Sequence, residues 1–161
     1  MILTEELLAV VDALEGQRIE YAVCGGLAVG MHGYPRMTFD LDLLIQEQDV
    51  RRFETAVGGL GFDVVAGTFA FKRGTPQETR FWRVSKHDGH EHLVLDAMLV
   101  TPVLLPVWES RTHLTFEGRA VHVVSREGLS IMKLLSGRAK DLADLQNLGM
   151  LSNDENEPEQ V

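Results

Sequence analysis

Val23-Cys24-Gly25-Gly26-Leu27-Ala28, followed after a short interval by Thr38-Phe39-Asp40-Leu41-Asp42-Leu43-Leu44-Ile45, reads as strand, glycine pair, short helix, loop and second strand. The apolar run Tyr21-Ala22-Val23-Cys24 has the length and character of a buried strand. Gly25-Gly26 permits a sharp turn, because glycine adopts positive φ without steric cost. Leu27 to His32 suits a short helix with the glycines at its N-terminus, where free N–H groups favour an anion such as phosphate. Residues two apart in an extended segment share a face, so Asp40 and Asp42 point the same way. If extension starts early, Arg36 and Thr38 join them. Adjacent carboxylates repel unless a cation lies between them, and hard oxygen ligands of this kind suit magnesium together with substrate phosphates. Asp-x-Asp alone is equally what a solvated strand edge presents.

The combination Gly-Gly-x-Ala, then His32-Gly33, then Arg36-x-Thr38-x-Asp40-x-Asp42-Leu43 is more specific. It resembles the nucleotidyltransferases of the DNA polymerase β-type superfamily, and within them the small Gly-Gly type that includes AbiEii-like toxins of toxin–antitoxin systems. The resemblance implies an α/β (α+β) domain with a small mixed, mostly antiparallel sheet backed by helices. It implies transfer of a nucleotidyl group from an NTP, with release of pyrophosphate and dependence on Mg2+ or Mn2+. Gly25, Gly26, Arg36 and Thr38 would then belong to the nucleotide site, and Asp40 and Asp42 would be catalytic metal ligands. Asp96, inside the apolar run Leu93 to Val100, matches the superfamily's third carboxylate and would complete a site for two ions. An aspartate in such a run is costly unless its charge is compensated. Lys133, on a helix containing Ile131, Met132, Leu134 and Leu135, matches a lysine that reaches the nucleotide phosphates; as a bare sequence feature it equally fits a solvated helix lysine.

Composition sets the frame. At 161 residues, with 45% hydrophobic and 24% charged residues, the chain fits one globular domain, expected over residues 1–151. From Ser152 onward the chain is polar, acidic and aperiodic, which predicts a disordered tail over 152–161. Net charge is −9, and with four acids in that tail the body is near −5, which argues against sequence-blind nucleic-acid binding. No apolar run approaches the ~20 residues that span a bilayer. The acidic start lacks a secretory pattern, and Cys24 is the single cysteine, so a cytoplasmic location is expected. Cys24 reads as a buried strand residue.

The remaining segments predict a helix from a Thr4 cap through Leu14, and another from an Asp49 cap to Leu60. Short strands follow at 63–65, 68–72 and 80–84, and a hairpin at 112–124. Lys72, Arg73, Arg80, Arg83 and Lys86 form the densest basic cluster. With Phe81 and Trp82 it offers an RNA end phosphate contacts and stacking, or else Trp82 is core beneath a solvated basic rim. His87-Asp88-Gly89-His90-Glu91-His92 fits a polar hairpin turn better than a zinc site. Arg138-Ala139-Lys140-Asp141-Leu142-Ala143-Asp144 resembles a segment of the AbiEii-like group; Lys140 and Asp144 form a helix pair, or Lys140 and Asp141 border the site.

Three functions follow from the resemblance: a toxin that modifies RNA, such as tRNA, with an antitoxin partner; an enzyme acting on a small molecule of the antibiotic kind; or a catalytically silent domain. The intact Asp40, Asp42 and Asp96 argue against the last.

Overall fold

The computed structural model describes residues 1–137 and 139–149, with 139–142 as backbone. The expected tail and the side chains of Lys140 and Asp141 lie outside the described residues.

The chain opens with α1 (Leu3–Gly16), whose Leu7, Val10, Val11 and Leu14 are buried, as their helical spacing requires. Its N-cap is Ile2 rather than Thr4, and no side chain caps it. Then come β1 (Tyr21–Val23), α2 (Gly25–Met31) and β2 (Leu41–Ile45). A 3-10 turn at Glu47–Asp49 leads into α3 (Val50–Gly58). The Asp49 carboxylate pairs with Arg52 at 3.2 Å instead of capping the helix. Three long strands follow: β3 (Phe62–Phe71), β4 (Thr79–Asp88) and β5 (Glu91–Leu99). The two strands expected at 63–65 and 68–72 are one, kinked by bulges near Asp63 and Ala66, with Gly67 at φ 110°. The β4–β5 hairpin falls where Asp88-Gly89 predicts it, with Asp88 closing β4 opposite Glu91 and Gly89-His90 making the turn. After α4 (Leu105–Glu109) come the hairpin β6 (Thr112–Phe116) and β7 (Arg119–Val123), then α5 (Arg126–Ser136) and α6 (Ala139–Asn147). Ser125 caps α5 by accepting from the Gly128 N–H at 3.0 Å.

The seven strands form one mixed sheet in the order β3-β4-β5-β2-β1-β7-β6. Its pairings are antiparallel except β2–β5 and β1–β7. This is the expected α/β class. Strand alternation gives the central strands two distinct faces. Leu41, Leu43, Leu95, Ala97, Trp82 and Val84 share the buried face. α3 covers it through an edge-to-face contact of Phe53 with Trp82 at 6.0 Å, and α1 through the Lys86–Glu6 pair at 2.9 Å. Each large apolar side chain fully buried there contributes about 1.5–3 kcal/mol. Asp42, Asp96, Arg83 and Phe81 point from the opposite face, toward α5.

Among the described residues, no helix is long and apolar enough to cross a membrane.

Candidate active site

The strand register assembles the site. Asp42 on β2 lies beside Asp96 on β5, and Asp96 beside Arg83 on β4, so two acids and a base form a row across three neighbouring strands. β2 starts at Leu41, so Asp40 precedes the strand in a bend instead of sharing its extended run. It nonetheless lines the same cleft. That cleft encloses about 390 Å³, and its wall includes Cys24, Gly25, Gly26, Arg36, Asp40, Asp42, Asp96 and Lys133.

The glycine pair is required by close approach. Gly25 has φ 64°, and a Cβ built on it would stand 2.2 Å from Asp42 Oδ2. A Cβ on Gly26 would meet Thr38 Oγ1 at 2.5 Å and Arg36 Nη2 at 3.1 Å. Both glycines lie within α2, which starts two residues earlier than the sequence predicts, and let the 36–42 segment lie against the helix start. Thr38 stands behind Gly26, donating its hydroxyl proton to the Arg36 carbonyl at 3.2 Å, and is not part of the cleft wall. Burial first, then the charges of Asp42 and Asp96, push the Cys24 thiol well above its usual range, so it is no thiolate nucleophile.

A buried acid organises the far wall. Asp144 on α6 is 1% exposed and accepts two bonds from Arg36, from Nε at 2.8 Å and Nη2 at 3.0 Å. Lys133 Nζ on α5 lies 3.3 Å from the same carboxylate. Lys133 is only 6% exposed and lines the cleft, so it is not the solvated helix lysine that the sequence also allows. Asp144 binds across to the Asp-x-Asp loop as well as to α5. The Arg36–Asp144 contact spans 108 residues, which local sequence spacing does not signal.

Asp96 is engaged. Arg83 donates to both its oxygens, at 2.7 and 2.8 Å. The Asp96 hydrogen bond, and then the charges of Asp96, Asp40 and Asp42, raise the Arg83 pKa. All three carboxylates therefore act on one guanidinium. Among the described residues, no three His, Cys, Asp or Glu side chains converge as a cage for a metal. The oxygen donors of Asp40 and Asp42 fit a hard divalent ion that completes its shell with substrate phosphates and water. The histidine-rich 87–92 turn forms no such group either.

The basic cluster is dispersed. Arg80 pairs with Glu47 at 2.6 Å, Arg83 with Asp96, and Lys86 with Glu6. Trp82 is 4% exposed on the core face, so it cannot stack on a ligand. On β3, Phe69 and Phe71 are exposed and stack on Phe81 at 5.2 and 5.6 Å. Their exposure follows from the edge position of β3, which a single run of sequence does not reveal.

A mixed sheet with Asp-x-Asp at the start of one strand, a third aspartate on the next and a glycine turn against them defines a nucleotidyltransferase fold. The chain belongs to the DUF6036 family, described as "Nucleotidyltransferase of unknown function", which matches residues 1–155. Among proteins of curated function, none matches its sequence. Solved structures share the fold at low identity. The Thermotoga maritima protein TM1012, assigned as a nucleotidyltransferase, matches with a TM-score of 0.58 at 15% identity over 91% of this chain and 94% of its own. ANT(2'')-Ia in complex with adenylyl-2''-tobramycin gives 0.61 at 14% identity, over 94% and 90%. JHP933 from Helicobacter pylori gives 0.52 at 19% identity, over 93% of this chain and 66% of its own.

Proposed function

We propose that this chain transfers a nucleotidyl group from an NTP, with Mg2+ or Mn2+, to a hydroxyl of a small molecule bound at the cleft. The carrying observation is the fate of the basic cluster: three of its cations are paired with carboxylates, and its tryptophan lies in the core. With Trp82 in the core, that residue offers no stacking surface to an RNA acceptor, which weighs toward a smaller one. The cleft, at about 390 Å³, is within the ~300–1,000 Å³ range of small-molecule sites. A likeness in fold to ANT(2'')-Ia, whose complex holds an adenylylated antibiotic, supports the same class of acceptor.

Asp40 and Asp42 would hold the divalent ion with the triphosphate, and Lys133, lining the cleft from α5, would meet the phosphates. The ion neutralises charge on the phosphates and on the leaving pyrophosphate. The acceptor oxygen bonds to the α-phosphorus as the bond to the β-phosphate's bridging oxygen breaks. Pyrophosphate leaves with that electron pair, and the hydroxyl proton passes to water. Gly25 and Gly26 position the loop, and catalysis rests mainly on placement and charge, as phosphoryl-type transfer does. A cytoplasmic setting, where NTPs are supplied, suits this chemistry.

An α-labelled set of NTPs with Mg2+ tests the reading, offered in parallel to hydroxylated amino-sugar antibiotics and to total tRNA. Label on the small molecule is the expected result. Label on tRNA, above all if a co-encoded antitoxin suppresses it, would replace this reading with the toxin one.

A further inference from the structure

The site's third carboxylate already has a cation. Arg83 meets Asp96 in two parallel bonds of 2.7 and 2.8 Å, the fork-on-carboxylate arrangement that combines strength with fixed geometry. The strand register enforces the pairing, since Arg83 lies directly across from Asp96. The guanidinium is held from the other side as well: its central carbon lies 5.1 Å from the Phe81 ring centre and 5.9 Å from that of Phe69. An arginine keeps its charge at any working pH. Two further basic groups of the cleft wall, Arg36 and Lys133, are directed to Asp144.

A second ion on Asp96 would have to displace a bidentate guanidinium or sit against its fixed positive charge.

We propose that Arg83 takes the place of a second metal ion, so that this chain works with one divalent ion, held by Asp40, Asp42 and the triphosphate. The proposal rests on the nucleotidyl-transfer reading and specifies its electrostatics. Asp96 is then a positioning residue: it holds Arg83 beside the α-phosphate site and is not itself a metal ligand.

The test counts ions. Wild type, Arg83→Lys and Arg83→Gln are equilibrated with Mn2+ and an NTP analogue that cannot be cleaved between its α- and β-phosphates. Bound Mn2+ per chain is read from the loss of the free-ion electron paramagnetic resonance signal, and bound analogue by dialysis. One ion per bound analogue is expected in wild type and in Arg83→Lys, which keeps the charge. Two are expected in Arg83→Gln, where Asp96 is released. Two ions in wild type would overturn the proposal whatever the variants do, and so would a single ion in a folded Arg83→Gln. One ion per analogue in wild type supports it even if Arg83→Gln fails to fold. If wild type retains no analogue with Mn2+, the nucleotidyl-transfer reading itself falls, a result distinct from a wrong ion count.

Discussion

Gly25 touches the chemistry through what it lacks. A methyl group there would overlap Asp42 Oδ2 at 2.2 Å, and the backbone at φ 64° already disfavours any other residue. Gly25→Ala should therefore lower stability by about 1–3 kcal/mol, the usual range for backbone strain of this kind, and also displace a metal ligand. Urea denaturation would report the first effect, and nucleotide binding with Mn2+ the second. Binding retained at wild-type strength would show that Asp42 tolerates the shift. Asp42→Asn addresses the same carboxylate without touching the backbone. Even groups that only orient metal ligands are worth about 10–100-fold, so direct loss of this charge should reduce transfer more than about 100-fold while the melting temperature holds. A steady-state assay with the asparagine variant checks it, and near-normal turnover would remove Asp42 from the site.

At the scale of elements, two contacts join segments distant in sequence. The α6 carboxylate Asp144 bonds Arg36 of the loop before β2 and Lys133 of α5, so one buried acid ties three elements together. Asp144→Asn keeps the shape but removes the negative charge that Arg36 and Lys133 share. Breaking a fully buried pair costs about 3–5 kcal/mol, and the partial exposure of Arg36 places this one toward the lower end. Chemical denaturation should show that loss, with weaker triphosphate binding because Lys133 is no longer held. The outer hairpin carries a pH response. His122 on β7 lies against His113 at 4.1 Å between ring centres and edge-on to Tyr21 at 5.4 Å. Burial first, then the charges of His113 and Arg111, lower its pKa from the ordinary value, against weaker opposing pulls from Glu15 and Glu20. A depressed folded-state pKa means that the unfolded chain binds the proton more readily. Its contribution is then fully present above pH ~6.5 and is lost as pH falls through the folded-state value. Melting temperatures between pH 8 and 5 should fall on the acid side, and less steeply in His122→Gln. An identical slope in the variant would assign the response to another group.

Over the whole molecule, what the sequence reveals divides by distance along the chain. The glycine pair, Asp40, Asp42 and the apolar run around Asp96 are legible because each is a local pattern of type and spacing. The β4–β5 hairpin is legible for the same reason, through Asp88-Gly89. What escapes depends on which strand neighbours which. Arg83 reads as one basic residue among five until register sets it opposite Asp96. Trp82 and Phe81 look interchangeable until alternation sends one to the core and leaves the other on the cleft face. The same non-local assembly makes a ligand felt by the entire fold. The cleft is walled by β2, β4, β5, the start of α2 and the end of α5, so a nucleotide with its ion bridges elements distant in sequence. A ligand that binds only the folded state stabilises it by about 2.7 kcal/mol at a hundred times its dissociation constant. For a domain of this size each kcal/mol moves the melting temperature by roughly 2–4 °C, so NTP with Mg2+ at that level should raise it by about 5–10 °C. Neither NTP with a chelator nor Mg2+ alone should do so, because the carboxylates and the phosphates repel until an ion lies between them. Differential scanning fluorimetry over the four combinations measures this directly, and Asp40→Asn/Asp42→Asn should show no synergy. A full shift from NTP in the chelator would mean that the chain's own cations, Arg83 and Lys133 among them, suffice to hold the triphosphate without a metal ion.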